Sequence, residues 1–417
     1  MSSVNEHPPA DPLYEAQVAS RLQQILKAGP SSLQFIVSRA EGAYPTDVIG
    51  ALRKLEGLGA VKESQKNVWM STESGHALSG TCVEVDQAPV GSDDSDFPEA
   101  HPLDFDWRFA RRTLEWLNER MGNFESGGIG VLGAPTLFKY LVDHGKTAHL
   151  FDKNEQIVRY LMQMGYTAIT QCDLFRFSSN SEFACVVADP PWYLDHYRAF
   201  IEAARGLLVA NGKLLLSVLP RLTRPSAALD RSEIVAFASS RGFDLARVET
   251  GSLEYLSPPF EVEALKTEGL NVSTWRSGDL YTFVLREGDV PEIPSEYVGE
   301  EYWHTFNIGP TVVKVKWDGT HGHGALDIQN VSRASDMRLG SVSRRSPLRS
   351  QVNLWTSRNV VLHVSRPDLV CAALQLLGEG YDGDNVAKAL VNAEQLNTLD
   401  AKRLEELVTI LITESRS

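Results

Sequence analysis

Residues 183–193 read FACVVADPPWY: six apolar residues, an acid, two prolines and two aromatics. A continuous apolar run of that length, closed by turn formers, reads as a strand buried on both faces, as in a parallel sheet. Asp189 then stands at the carboxyl end of the strand, where doubly wound sheets open their ligand crevice. Pro190 and Pro191 each fix their own φ and restrict the preceding residue, so the turn is stiff and extended. Neither ring carries an N–H, and the turn carbonyls are free to accept from a ligand amino group. Trp192 and Tyr193 follow with flat faces suited to a planar group. An amino group held by the Asp189 carboxylate and the Pro190 carbonyl would be lined up for attack on an electrophile. That is catalysis mostly by positioning.

On either side of this stretch, short apolar runs alternate with amphipathic helical ones. IGVL (129–132), AHLF (148–151), TAIT (167–170) and KLLLSVL (213–219) read as strands, with two more near Asp244–Glu249 and Leu280–Leu285. Helical stripes run through Leu137 and Leu141, through Ile157, Val158, Leu161 and Met162, over His196–Leu208, and over about Arg231–Arg241. A further stripe of Trp107, Ala110, Leu114, Leu117 and Met121 precedes them. The fold class expected for residues 107–286 is α/β, a doubly wound Rossmann-like parallel sheet with helices on both faces. Two more acids fall at strand ends: Asp152 closes AHLFD, and Asp173 in CDLF follows the third strand. After the first strand comes Gly133, then Ala134 and Pro135, so one glycine makes the turn and Pro135 suits the first turn of the next helix.

Flanking segments differ in character. In residues 1–80, helical patterns over Tyr14–Leu26 and Ser32–Arg39 precede a third after Pro45, with Thr46 as its expected N-cap. A polar hairpin follows. Three short helices and a hairpin resemble a winged helix, which implies either DNA reading or a docking and self-association module. Arg53 and Lys54 are the only basic pair on the third helix, and Asp47 and Glu56 flank them. Residues 81–106 hold eight acids, Pro89, Pro98 and Pro102, and no Lys or Arg, and read as an acidic linker. Residues 287–417 read as a C-terminal α+β accessory domain. Its Arg333, Arg338, Arg344, Arg345, Arg349, Arg358 and Arg366 face one acid, Asp336, and read as a phosphate-contact surface, a solvated loop or a dock for the acidic linker.

At 417 residues the chain is long enough for two or three domains, and 43% hydrophobic with 23% charged residues is globular composition. A net charge of −14 excludes a general polyanion binder, so any nucleic-acid contact must come from a local patch. Cys82, Cys172, Cys185 and Cys371 are scattered, which argues against a disulfide framework or a zinc site. His321 and His323 in THGHG lack acid or Cys partners at ligand spacing, so no metal is expected. No signal peptide and no membrane span are read, and the chain is expected to be cytoplasmic.

The DPPW stretch after a buried strand resembles the amino-directed, class I S-adenosylmethionine-dependent methyltransferases, with the adenine-N6 enzymes nearest in motif. The resemblance covers about residues 107–286. It implies S-adenosylmethionine as cofactor, with Asp152 on the ribose hydroxyls, Asp173 on the adenine amino group, and the Gly133–Ala134 turn against the cofactor. It implies Asp189, Pro190, Pro191, Trp192 and Tyr193 around a planar amino acceptor such as adenine in nucleic acid or a nucleotide. Where that family has a glycine-rich turn, this chain has Gly133-Ala134-Pro135. The domain order, the VLG turn and the DPP motif also resemble the branched-chain polyamine synthases, which are aminopropyltransferases. There the turn is rich in aspartate and an acid follows DPP, whereas this chain has Ala134-Pro135-Thr136 and Trp192. A third reading, favoured by the altered turn, is a catalytically silent scaffold that binds a nucleotide or a protein partner. Tyr255, Phe260 and Trp275, in the segments around the last two strands, read either as stacking partners for a base in the acceptor pocket or as plain lid or core residues.

Overall fold

The computed structural model describes residues 11–72, 97–121, 127–178, 183–267, 270, 274–288, 302–320, 322, 324–332, 337–344, 346–392 and 397–416. His321, His323, Arg333, Asp336, Arg345 and the first part of the acidic stretch lie outside the described residues.

Helix α1 (Pro12–Leu26) starts at Asp11, whose carboxylate accepts from the Leu13 N–H at 2.9 Å. Next come β1 (Ser31–Ser32), α2 (Leu33–Arg39), α3 (Pro45–Gly57), β2 (Val61–Gln65) and β3 (Val68–Ser71). The three strands pair antiparallel in the order β1-β3-β2. Helix α3 begins one residue earlier than its expected cap. Pro45 occupies the first turn and Tyr44 the cap position, which leaves Thr46 inside the helix. Proline's fixed φ and missing N–H suit that position. The apolar core of this unit is continuous with Leu222, Leu265, Leu270 and Trp275 of the central domain. The Tyr14 hydroxyl also donates to the Leu222 carbonyl at 3.0 Å.

The central unit contains β4 (Arg108–Phe109), α4 (Arg111–Met121), β5 (Ile129–Leu132), α5 (Pro135–Asp143), β6 (Ala148–Asp152), α6 (Glu155–Gln163) and β7 (Ile169–Gln171). It continues through β8 (Phe183–Ala188), α7 (Leu194–Leu207), β9 (Leu208–Val218), α8 (Ala227–Ser240), β10 (Phe243–Leu256), α9 (Pro259–Thr267) and β11 (Ser277–Leu285). The sheet order is β4-β10-β11-β9-β8-β5-β6-β7. Strands β5 to β9 are mutually parallel, but β11 runs antiparallel to both β9 and β10. The sheet is therefore mixed, which corrects the all-parallel expectation. After β10 the chain turns back through α9 at the same end of the sheet, so β11 enters in the opposite direction. Trp107 also departs from its helical reading: β4 pairs with β10 there, and α4 starts only at Arg111. Strand order reverses between β8 and β5, which places the crevice at the carboxyl ends of those two strands.

The C-terminal unit is a five-stranded antiparallel sheet, in the order β12-β13-β15-β16-β14. Its strands are β12 (Trp303–Ile308), β13 (Thr311–Lys316), β14 (Ile328–Asn330), β15 (Leu354–Thr356) and β16 (Val361–Val364). Helices α10 (Pro367–Gly378), α11 (Gly383–Asn392) and α12 (Thr398–Arg416) share its apolar core. Residues 97–106 pack against this unit instead of lying in solvent. Glu99 accepts from Arg358 at 2.8 Å and from Ser357 at 2.6 Å, Asp104 pairs with Lys314, and His101 is buried against the Trp355 carbonyl at 3.0 Å. The His101 Nδ1 accepts from the Leu103 N–H at 3.1 Å, which leaves Nε2 as the donor to Trp355. Among the described residues, no helix is long and apolar enough to cross a membrane.

Candidate active site

A cavity of about 830 Å³ opens at the carboxyl ends of β5, β6 and β8. All three units contribute to its wall. The central domain supplies the strand-end turns, α1 and α3 supply one side, and Ser341, Val342, Ser343 and Ser346 of the C-terminal unit supply another.

Gly133 makes the first turn. Its φ is +64°, and a Cβ there would stand 3.1 Å from the Phe200 ring and 3.4 Å from the Asp189 carbonyl. Glycine is therefore favoured by its conformation, and a side chain there would crowd the Phe200 ring and the Asp189 carbonyl. Helix α5 starts two residues later, at Pro135. Gly133 and Pro135 line the cavity; Ala134 is buried and does not.

Asp152 ends β6 and borders the same cavity. Its Oδ1 accepts from the Asn154 N–H at 2.8 Å. Burial pushes its carboxyl up to about 7, with Asp106 and Asp104 adding to the rise against that hydrogen bond. Asp173 also lines the cavity and accepts from the Phe175 N–H at 3.0 Å, capping a single 3₁₀ turn, Leu174–Arg176. Asp152, Asp173 and Gly133 are thus brought to one space, as successive strand ends of such a sheet require.

Asp189 follows β8, and its own N–H donates to the Leu132 carbonyl at 3.1 Å. Its Oδ1 accepts from the Tyr255 hydroxyl at 2.7 Å, and the Ser217 hydroxyl lies 2.7 Å from the Tyr255 oxygen. Burial raises the Asp189 carboxyl to about 7, against the pull of the Tyr255 and Ser217 hydroxyls and the Arg276 guanidinium. The site therefore holds a carboxyl poised near neutral pH beside a stiff Pro190-Pro191 turn.

The two aromatics after the prolines are already engaged. Trp192 is 6% exposed, and the Arg276 guanidinium lies 3.9 Å from its ring centroid. The same guanidinium lies 4.2 Å from the Trp107 ring centroid. Tyr193 is flanked by Phe105 at 5.6 Å, by Arg344 at 5.2 Å and by Arg224 at 5.8 Å. Phe260 and Trp275 border the cavity but are buried against Trp107.

Sequence reasoning missed the segment 104–107. Asp104, Phe105, Asp106 and Trp107 all line the cavity, and Phe105 holds a left-handed φ of +55°. The alternation of acids and aromatics in DFDW was the available signal, but it lay inside an otherwise acidic, proline-broken stretch. Glu261 was also missed. It lines the cavity, and burial raises its carboxyl to about 7 against the Arg276 charge.

Helix α3, for which the winged-helix resemblance offers DNA reading or docking, borders this cavity through Thr46, Asp47, Gly50 and Lys54. Its basic pair is spent internally, Lys54 on Glu15 at 2.7 Å and Arg53 on Glu56 and Glu63. The basic C-terminal stretch is spent similarly: Arg344 pairs with Asp195 at 2.8 Å, Arg358 with Glu99, and Arg338 with Glu414. Among the described residues, no group of His, Cys, Asp and Glu could hold a metal ion.

No family model matches this chain, and no curated protein sequence matches it. Solved structures do. The branched-chain polyamine synthase from Thermus thermophilus, in complex with N4-aminopropylspermidine and 5'-methylthioadenosine, aligns over 68% of this chain and 91% of its own, at 12% identity and a TM-score of 0.51. The C9 mutein of that enzyme aligns over 67% and 92%, at 13% identity and 0.49. N-methyltransferase NodS from Bradyrhizobium japonicum WM9, solved with S-adenosyl-L-homocysteine, aligns over 42% and 84%, at 13% identity and 0.29. With the strand order above, the first of these fixes the architecture: an α/β chain with a Rossmann-like, methyltransferase-type sheet and additional domains.

Proposed function

We propose that this chain is an S-adenosylmethionine-dependent transferase that methylates an amino nitrogen, with Asp189 positioning the acceptor. The observation that carries this reading is the Asp189 carboxylate, at the switch point of the sheet, hydrogen-bonded at 2.7 Å by Tyr255 and bordering the cavity that Gly133, Asp152 and Asp173 also line. The residues present fit the cofactor: a left-handed glycine turn with little room for a side chain, and two carboxylates at the next two strand ends. Asp152 would hold the ribose hydroxyls and Asp173 the adenine amino group. When bound, S-adenosylmethionine supplies an electrophilic methyl carbon on a sulfonium. Asp189 accepts a hydrogen bond from the acceptor nitrogen and takes the proton that nitrogen releases as its new N–C bond forms. The Pro190 carbonyl fixes the direction of the second N–H. The acceptor best suited is a small amine. An adenine ring, suggested by DPPW, finds one face of Trp192 covered by Arg276. Long nucleic acid finds the basic pair of α3 already paired with Glu15, Glu56 and Glu63.

Aminopropyl transfer from decarboxylated S-adenosylmethionine is the second reading, and the cavity lining favours it. Asp47, Asp104, Asp106, Asp152, Asp173 and Glu261 border the space, a setting suited to a cationic substrate. Calorimetric titration with S-adenosylmethionine, S-adenosylhomocysteine and decarboxylated S-adenosylmethionine separates the readings. Micromolar binding of the first two supports methyl transfer, preference for the third supports aminopropyl transfer, and binding of none leaves the silent scaffold. Methylation of an amine panel with labelled donor, in wild type and Asp189→Ala, then tests the chemistry: turnover that survives Asp189→Ala in full rejects the positioning role.

A further inference from the structure

The Arg276 side chain is placed in an unusual way. Its guanidinium carbon lies close to two indoles, 4.2 Å from the Trp107 centroid and 3.9 Å from that of Trp192. The rings can attract the charge but accept no conventional hydrogen bond, so the guanidinium N–H groups remain to be satisfied. Nε is buried without a hydrogen-bond partner, and among the described residues the guanidinium makes no hydrogen bond and no ion pair. Glu261, Tyr255, Tyr193 and Asp189 surround it within electrostatic reach, yet no carboxylate closes on it. Arg276 borders the same cavity as Asp189. A buried charge left this way is costly to the folded chain unless a ligand completes it.

We propose that Arg276 is a specificity-determining fork that binds a carboxylate on the acceptor, so that the acceptor is a zwitterionic, amino-acid-like amine. The inference rests on Asp189 holding the acceptor amine. A planar carboxylate accepts two parallel N–H bonds from a guanidinium edge. Charge selects a carboxylate over a phosphate. The acids around the cavity, Asp104, Asp106 and Glu261 among them, oppose a dianion, whereas a carboxylate accompanied by its own ammonium is neutral overall. One amino-acid-like molecule would place its cation toward Asp189 and its anion toward Arg276.

The test pairs amines that differ only by the carboxylate: L-ornithine against putrescine, and L-lysine against cadaverine. Each is titrated into the full chain without donor, and binding is read from the fluorescence of the tryptophans that flank Arg276. In wild type, the carboxylate-bearing member is expected to bind about tenfold tighter, the scale of one lost charge-assisted bond. Arg276→Gln should abolish the preference and Arg276→Lys should retain part of it. Should Arg276→Gln fail to fold by circular dichroism, Arg276→Lys still carries the comparison, since a point charge keeps attraction and loses the bidentate geometry. Equal or tighter binding of the diamines in wild type overturns the proposal. So does a preference unchanged in both variants, inorganic phosphate competing better than acetate, or no binding by either carboxylate-bearing probe. Donor binding, measured separately by calorimetry, is expected to be the same in wild type and both variants. Its absence in wild type would reject the transfer reading while leaving the anion preference standing.

Discussion

Tyr255 and Asp189 are joined by a 2.7 Å hydrogen bond that ties the end of β10 to the turn after β8. The phenol touches Ser217 on its other side, so three strands meet at this carboxyl. Because the Tyr255 hydroxyl favours the ionised form of Asp189, its loss moves that carboxyl further upward. Tyr255→Phe is expected to shift the acidic limb of the activity–pH profile to higher pH and to lower turnover at neutral pH by about tenfold, with donor affinity unchanged. An unshifted acidic limb would detach Tyr255 from the chemistry.

Asp189→Asn should lower turnover by two or more orders of magnitude, as expected for loss of a positioned base (about 10²–10⁴). The same variant should be more stable than wild type at high pH. Asp152, Asp189 and Glu261 are each raised to about 7 in the folded chain, from ordinary values of 3.8 and 4.5. Between those limits the folded state holds more protons than the unfolded one. Their stabilising contribution is complete below about pH 4 and is lost as pH rises through about 7. The Tm of Asp189→Asn should exceed that of wild type at pH 8 by a few degrees, at about 2–4 °C per kcal/mol, and the gap should close toward pH 4. A constant difference across that range would contradict the burial assigned to this carboxyl.

Asp152→Asn keeps the size of the side chain and removes its charge. It is expected to weaken S-adenosylmethionine binding by about 10–100-fold, measured by calorimetry, through loss of charge-assisted bonds to a diol. Its far-ultraviolet circular dichroism should match that of wild type. Unchanged affinity would remove Asp152 from the ribose role.

Gly133→Ala tests the first turn. At a φ of +64°, with Phe200 at 3.1 Å and the Asp189 carbonyl at 3.4 Å, the added methyl must push either the ring or the DPP turn. The expected cost is about 1–3 kcal/mol of stability, together with a loss of donor binding larger than that of turnover per bound donor. A variant as stable as wild type would show that the turn tolerates a side chain.

Much of this architecture is legible in the residues. IGVL, AHLF and FACVVA announce buried strands because they are short, apolar and closed by turn formers, and all three are strands of the central sheet. Asp152, Asp173 and Asp189 could be placed together because strand ends in such a sheet share one edge. What local pattern could not supply was contact across long separations. Trp192 looks like a stacking platform in sequence, and only the fold brings Arg276, 84 positions later, onto its face. DFDW looks like the end of a solvated spacer, and only packing on β13 and β15 turns it into cavity wall. The direction of β11 was equally hidden, because an apolar strand carries no mark of its sense.

Helix α3 lends Thr46, Asp47, Gly50 and Lys54 to the cavity wall. Any partner that gripped the helix by these four residues would have to open the cavity to reach them. The N-terminal segment is thus part of the cavity wall. Cutting it away would leave an open basin in place of a walled cavity.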